Sequence, residues 1–238
     1  MIKYTKEGSV RKITLFGLIE ITFKKISNIS NSNEIQSDKK NINPTQYPIC
    51  LSEKERKFLI DNFEKANSYL EFGAGGSTFL ALLHSNIQNI ISVESDFDWI
   101  EHLREWKIIQ DAENKRLTFF HVNIGKTKEW GYPVEDSNQE KFLIYSSKVF
   151  QKEDSGSYDL VFIDGRFRVA CMLQTILNCK TDTKIIMHDF NDRPEYHVFL
   201  KYVNIVDTID TMALFKIKEN INYDDVLKDY ELYKYNPN

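Results

Sequence analysis

From Ser52 onward the chain switches repeatedly between two spacings of apolar positions. Short runs rich in β-branched and aromatic residues, Tyr69–Phe72, Ile90–Glu94, Leu117–Val122, Asp159–Ile163 and Lys184–Met187, predict strands. Helical spacing lies between them, over Thr78–His84, Phe97–Gln110 and Val169–Leu177. The last is the clearest, because Val169, Met172, Leu173, Ile176 and Leu177 line one helical face. A further helix starts at Ser52, where Ser52 and Glu55 form an S-x-x-E capping box ahead of Phe58, Leu59 and Phe63. Strand and helix alternating in this way predict an α/β fold with a doubly wound parallel sheet covered on both faces. Two more β-rich runs, Ile205–Ile209 and Ala213–Ile217, are too close for a parallel crossover and predict a terminal antiparallel hairpin.

The flanks follow other patterns. Residues 1–26 combine Lys3, Lys6, Arg11, Lys12, Lys24 and Lys25 with Ile13, Leu15, Phe16, Leu18 and Ile21, which predicts a basic strand pair broken at Gly17. Residues 27–47, rich in Ser, Asn and Lys, read as a linker. The folded domain then spans 48–221, and 222–238 read as a tail with a solvated helix. Composition narrows the classes: the 238 residues are 42% hydrophobic and 28% charged, with a formal net charge of −4. That ordinary globular balance disfavours a general nucleic-acid binder. Cys50, Cys171 and Cys179 are too few and scattered for a disulfide framework or a cysteine zinc site, and read as reduced thiols. No apolar run approaches the length of a bilayer span. Ile13–Phe23 is interrupted by Glu20 and lacks a small-residue cleavage site. The expected location is cytoplasmic. The basic N-terminus either docks on the inner-membrane surface or a partner enzyme, or adds strands to the domain or to a homo-oligomer.

Candidate chemistry concentrates where the first strand of the alternating region turns into a helix, Tyr69-Leu70-Glu71-Phe72-Gly73-Ala74-Gly75-Gly76-Ser77-Thr78. Glycines there let a ligand approach the backbone and leave helix N–H groups free for an anionic group. The dinucleotide fingerprint G-x-G-x-x-G needs glycine at position 78, which is Thr78 here. Glu71 would repel a pyrophosphate but could pair with a cationic amino group. Glu94 lies 21 residues beyond Gly73, at the end of the next strand, placed to accept hydrogen bonds from ribose hydroxyls. The same residues also read as a tight turn beside a solvated Glu94.

E-F-G-A-G-G-S-T with Glu94, in this order of elements, resembles the class I S-adenosylmethionine-dependent methyltransferases over roughly residues 50–218. The resemblance implies a Rossmann-like seven-stranded methyltransferase sheet, whose characteristic antiparallel strand the terminal hairpin would supply. It also implies S-adenosylmethionine as cofactor. Glu71 and the loop Gly73, Ala74, Gly75, Gly76 and Ser77 would hold its methionine part and Glu94 its ribose. Asp96, Phe97 and Asn123 would contact adenine, and Asp164 would border both cofactor and acceptor.

Ligands of open α/β sheets bind beyond the carboxyl ends of the strands. Two such ends read Phe162-Ile163-Asp164-Gly165-Arg166-Phe167-Arg168 and Ile186-Met187-His188-Asp189-Phe190. Arg166 and Arg168 begin the Val169–Leu177 helix, where the macrodipole disfavours cations. They meet an anionic partner, pair with Asp164 or Asp189, or are solvated. In the catechol-type O-methyltransferases, acidic residues at these two strand ends help hold Mg²⁺, so the resemblance extends to Mg²⁺ or Mn²⁺ on Asp164 and Asp189. Phe190 departs from that pattern, standing where an amide residue usually follows. The alternative is general-base catalysis by His188 or Asp189, with His188 favoured on intrinsic pKa. A His188 satisfied by a neighbouring carbonyl is the third reading.

Ile124–Ser157 is long for a connection inside a domain. Trp130 and Tyr132, in a Gly/Pro context, suit either a platform for sugar rings or an aromatic plug. Phe142, Leu143, Tyr145, Val149 and Phe150 predict a short lid helix. The strings I-G-x-T-x-x-W-G-Y-P, F-I-D-G-R-F-R-V-A-C and M-H-D-F-x-x-R-x-x-Y look similar to a bacterial methyltransferase group associated with surface-polysaccharide biosynthesis. R-K-I-T-L-F-G-L-I resembles a preface on some bacterial polysaccharide enzymes. The expected activity is O-methylation of a carbohydrate or other small anionic acceptor, bound by Trp130, Tyr132, Arg166, Arg168 and Arg193, with no nucleic-acid partner. Methylation of a phenolic or other secondary metabolite, and non-catalytic binding on the same fold, are the competing readings.

Overall fold

The computed structural model describes residues 2–7, 10–15, 19–24, 47, 49–134, 139–151 and 157–238. The chain divides into two units, Met1–Lys39 and Lys40–Asn238. In the first, β1 (Ile2–Glu7), β2 (Val10–Leu15) and β3 (Ile19–Lys24) form an antiparallel sheet in chain order. Ile2 lies opposite Leu15, and Val10 opposite Lys24. This is one strand more than the expected pair. Ile2 and Tyr4 give the first run the same two-residue alternation as Ile13 and Leu15. The break at Gly17 and nearly all of the 27–47 linker lie outside the described residues.

The second unit alternates as the apolar pattern predicts. Its elements are α1 (Glu53–Phe63), β4 (Ser68–Phe72), α2 (Gly76–His84), β5 (Asn89–Glu94), α3 (Phe97–Leu103), α4 (Lys107–Ala112) and β6 (Leu117–His121). There follow α5 (Gln139–Ser147), β7 (Leu160–Ile163), α6 (Arg168–Asn178), β8 (Lys184–Met187), β9 (Val203–Ile209), β10 (Met212–Ile217) and α7 (Tyr223–Tyr233). The seven strands are ordered β6-β5-β4-β7-β8-β10-β9. β4 to β8 run parallel, while β10 is antiparallel to both β8 and β9. The chain winds outward in one direction from β4 and in the other from β7, so the switch point of a doubly wound sheet falls between them.

Alternate residues of each strand feed two cores. Leu70, Phe72, Val161, Ile163, Ile185 and Met187 belong to one, and Tyr69, Leu160, Phe162 and Ile186 to the other. The capping box predicted at Ser52 is present: Glu55 N–H donates to Ser52 Oγ and Ser52 N–H to the Glu55 carboxylate. The single helix expected over 97–110 is two. α3 ends at Arg104, whose guanidinium pairs with Glu113, and Trp106 turns its ring into Tyr47 and Phe79.

Two expectations change more substantially. Phe142, Tyr145, Val149 and Phe150 are not on a lid; α5 and the turn after it bury all four in the core, with Phe142 and Tyr145 against Phe167. The C-terminal helix α7 is not fully solvated, because Val226 and Tyr230 enter the same core. No helix among the described residues is long and apolar enough to cross a membrane.

The switch point is closed by two glycines. Gly73 has φ +98°, and a Cβ there would fall 2.7 Å from Gly165 N. A Cβ at Gly165 would fall 2.9 Å from Gly73 N and run into the Tyr145 hydroxyl. Gly165→Ala should therefore overpack this junction and cost about 1–3 kcal/mol, read as a lower urea midpoint with unchanged slope.

Candidate active site

Register brings four strand ends into a row. Phe72 lies opposite Val93 on one side and Ile163 on the other, and Ile163 lies opposite Met187. The residues that follow, Gly73, Glu94, Asp164 and His188, therefore line the carboxyl end of the sheet side by side. Backbone bonds carry the pairing one step further: Gly73 N–H donates to Val93 O at 2.8 Å, Asp164 N–H to Phe72 O at 3.0 Å and His188 N–H to Ile163 O at 3.1 Å.

Glu71 is fully buried, on the same strand face as Tyr69. Its carboxylate accepts hydrogen bonds from Tyr69 Oη at 3.0 Å, from Ser77 Oγ at 2.5 Å and from Thr78 Oγ1. Thr78 Oγ1 in turn accepts from Gly75 N–H at 3.0 Å. Burial pushes the Glu71 carboxyl above its usual range against those hydroxyls. The expectation that Glu71 faces a ligand amino group is thus corrected: it is sealed beneath the loop and shapes it. Thr78, the residue that breaks the dinucleotide fingerprint, ties Gly75 to Glu71.

Glu94 remains at the rim, 9% exposed, and the solvated reading does not hold. Its Oε1 accepts from Ser95 N–H at 2.6 Å and Asp96 N–H at 2.9 Å, and its Oε2 from Ala74 N–H at 3.1 Å. Burial raises this carboxyl too, opposed by those amides. Oε2, with one protein donor, keeps a lone pair for a hydroxyl. Trp99 Nε1–H holds Ala74 O at 2.8 Å, which steadies the same loop. Asp96 caps α3 through Trp99 N–H, and Asn123 closes a turn by accepting from Gly125 N–H. Phe97 presents a ring that is half exposed beside His121.

The β7 and β8 ends form a dense ionic cluster. Arg168, with its side chain 4% exposed, reaches Asp164 Oδ1 at 3.1 Å and Asp189 Oδ2 at 2.9 Å. His188 Nδ1 lies 2.9 Å from Asp164 Oδ1 and 3.5 Å from Asp189 Oδ1, while Nε2 lies 3.6 Å from Glu55 Oε1. Arg193 lies 2.9 Å from Asp189 and donates to Tyr196 Oη. Burial opposes charge on His188, but Asp164, Glu55 and Asp189 together push it up to about 10. Burial would raise Asp164, yet His188, Arg168 and Arg166 hold it below its usual value. Glu55 also resists burial, brought down to about 2 by His188, Thr211 and Ser52.

Three corrections follow. Asp164, Glu55 and Asp189 around the His188 ring all favour its protonated form, which has no lone pair to act as a general base. Arg168 and Arg193 are committed to Asp164 and Asp189 rather than to a ligand. Asp164, His188 and Asp189 could each turn one ligand atom toward a common metal. However, the buried Arg168 guanidinium already bridges both aspartates, so as arranged these residues do not fit a resident Mg²⁺ or Mn²⁺. Phe190, at the place of the amide in the metal-dependent enzymes, packs into the core against Phe199 and Phe215.

The loop after β6 separates its two aromatics. Trp130, at φ 62°, is 51% exposed, whereas Tyr132 lies over the Arg166 guanidinium, 4.2 Å from its centroid. Trp130 is therefore not a plug. Phe167 (φ 55°) and Asp189 (φ 60°) also occupy left-handed backbone at this end of the sheet, a concentration of strain typical of functional edges. Glu55 and Thr211 are site residues that the sequence pattern does not single out, whereas Tyr196 ends the M-H-D-F-x-x-R-x-x-Y string. Only the capping box draws attention to Glu55, and that signal concerns the helix.

The two shifted groups set a pH window for stability. His188 rises from 6.5 to about 10, so its contribution is complete below pH 6.5 and lost as pH climbs through 10. Glu55 falls from 4.5 to about 2, so its contribution is complete above pH 4.5 and lost toward pH 2. Urea unfolding should show a plateau between these limits and a decline above pH 6.5. His188→Gln should flatten most of that alkaline decline.

No protein-family model and no curated protein matches the chain. Solved structures do. A methyltransferase-like protein from Silicibacter pomeroyi DSS-3 is similar at 26% identity and TM-score 0.72, over 80% of this chain and 98% of that one. A putative caffeoyl-CoA O-methyltransferase from Staphylococcus aureus is similar at 13% identity and TM-score 0.51, over 73% of this chain and 87% of that one. The strand order, the switch point and the antiparallel β8-β10-β9 edge give this chain the Rossmann-like methyltransferase fold.

Proposed function

We propose that this chain is an S-adenosylmethionine-dependent O-methyltransferase acting on a carbohydrate hydroxyl, in the biosynthesis of a bacterial surface glycan. The observation that carries this reading is the juxtaposition along one sheet end of two halves. The glycine loop gathered by Glu71 and Glu94 suits a nucleoside-bearing cofactor, and the Asp164–His188–Asp189 cluster beside it suits an acceptor hydroxyl. The 26% identical methyltransferase-like relative, matched over almost its whole length, supports the cofactor half.

In this reading Glu94 Oε2 takes a ribose hydroxyl, the half-exposed Phe97 ring covers the base, and the Gly73–Gly76 turn lies along the amino-acid end. Glu71 acts through the loop. S-adenosylmethionine supplies a methyl group already activated by its positive sulfur, so orientation provides most of the acceleration. Asp164 and Asp189, fixed by Arg168, offer remaining lone pairs that orient the acceptor hydroxyl. His188 keeps its proton between Asp164 and Glu55 and stabilises those carboxylates as acceptors. The hydroxyl proton would leave late, as the new O–C bond forms and the S–C bond breaks to leave S-adenosylhomocysteine, passing through an Asp164 or Asp189 carboxylate to water.

The exposed Trp130 favours a sugar ring over a phenolic slot, because the loop leaves that ring open while Tyr132 is occupied by Arg166. The test is S-adenosylhomocysteine release screened across nucleotide sugars, glycan fragments and phenols. Carbohydrate should be methylated, EDTA should change nothing, and Trp130→Ala should raise KM about tenfold with kcat maintained. Turnover of phenols alone would contradict the carbohydrate reading. Absence of S-adenosylmethionine binding at millimolar concentration would remove the methyltransferase reading altogether.

A further inference from the structure

Ion pairing at the β7 and β8 ends leaves one arginine out. Glu55, Asp164 and Asp189 are shared among Arg168, Arg193 and His188, so each of those six charges meets an opposite one. Arg166 is a fourth cation, and no carboxylate lies within ion-pair distance of it among the described residues. It is 7% exposed, and its Nε is buried without a hydrogen-bond partner. A guanidinium taken this far out of water ordinarily meets an anion. Its place at the start of α6, against the helix dipole, makes the missing counter-charge more costly.

The stack on Tyr132 limits which part of Arg166 can meet an oxyanion. The Tyr132 ring covers one face of the guanidinium at 4.2 Å. Stacking of this kind leaves the in-plane edge, where the two Nη groups form a fork that grips an oxyanion with two parallel bonds, while Nε stays buried behind them. The surroundings are those of the acceptor side: a Cβ on Gly131 would lie 3.6 Å from Ser95 Oγ and 3.7 Å from Arg166 Cγ. The loop bearing Trp130, the end of β5 and Arg166 thus converge next to Asp164.

We propose that Arg166 recognises an oxyanion carried by the acceptor, so that the enzyme selects an acidic sugar, bearing a carboxylate or phosphate, over a neutral one. The proposal rests on the methyltransferase reading and assigns its specificity to one residue. Arg168 and Arg193, the other arginines of this end, are structural. Tyr132 orients the fork, and the oxyanion supplies the absent counter-charge.

The test is calorimetric binding of methyl glucuronide, glucose 1-phosphate and methyl glucoside to the full chain saturated with S-adenosylhomocysteine. The wild-type protein should bind at least one acidic probe about tenfold or more tightly than the neutral glucoside, and which one separates carboxylate from phosphate. Arg166→Gln should abolish the preference, and Arg166→Lys, which keeps the charge without the fork, should lose most of it. Affinity for S-adenosylhomocysteine within about twofold of wild type shows that each variant is folded. If Arg166→Gln does not fold, Arg166→Lys alone carries the comparison. Equal binding of all three probes, a preference that survives both substitutions, or a collapse of S-adenosylhomocysteine affinity in Arg166→Lys would overturn the proposal. Failure of the wild-type protein to bind S-adenosylhomocysteine would instead defeat the methyltransferase reading, and the three probes would still be compared on the cofactor-free chain.

Discussion

Arg168 enters α6 with its guanidinium buried and joins the ends of two neighbouring strands, through Asp164 of β7 and Asp189 beyond β8. Nη1 also donates to His188 O, and the other nitrogens reach the carbonyls of Asp164 and Gly165. Removing one partner of a buried pair leaves an uncompensated charge at a cost of about 3–5 kcal/mol, so these contacts stand or fall together. From the two aspartates the network continues to His188, then to Glu55 on α1, and from Glu55 to the N–H and hydroxyl of Thr211 in the β9–β10 turn. One set of charges thus fixes α1, α6, two central strands and the terminal hairpin.

That arrangement decides what chemistry the site can perform. A histidine between three carboxylates keeps its proton, which removes the usual reason for a strand-end histidine in a transferase. The Arg168 guanidinium lies where a divalent cation would otherwise balance the two aspartates. Orientation is what remains: fixed carboxylate lone pairs beside a glycine loop, and an exposed tryptophan at the mouth. Arg166 differs from its neighbours because it stacks on Tyr132 and has no carboxylate within ion-pair distance among the described residues.

Much of the fold was legible because parallel strands buried on both faces are short apolar runs, separated here by well-marked helical spacing. Strand ends followed from those runs, so Glu94, Asp164 and His188 could each be placed at the carboxyl end of a strand from the pattern alone. Their partners could not be placed. Glu55 reads locally as a capping residue, and nothing near it in the chain points to His188 or Thr211. Arg168 and Arg166 look alike in sequence, yet one bridges aspartates and the other stacks on Tyr132. Apolar positions also do not say what they cover: Phe142 and Tyr145 fit a lid or a core equally well in one dimension. Phe190 was visible as a departure, but only packing against Phe199 and Phe215 explains it.

The central claim is that the ionic network holds His188 charged at neutral pH. Its most direct test is an NMR titration of the His188 imidazole in the intact protein, with His188→Gln used to assign the signal. The account predicts a midpoint near 10, with both ring nitrogens protonated throughout the neutral range. A midpoint near the unperturbed 6.5 would contradict it and return His188 to the role of general base.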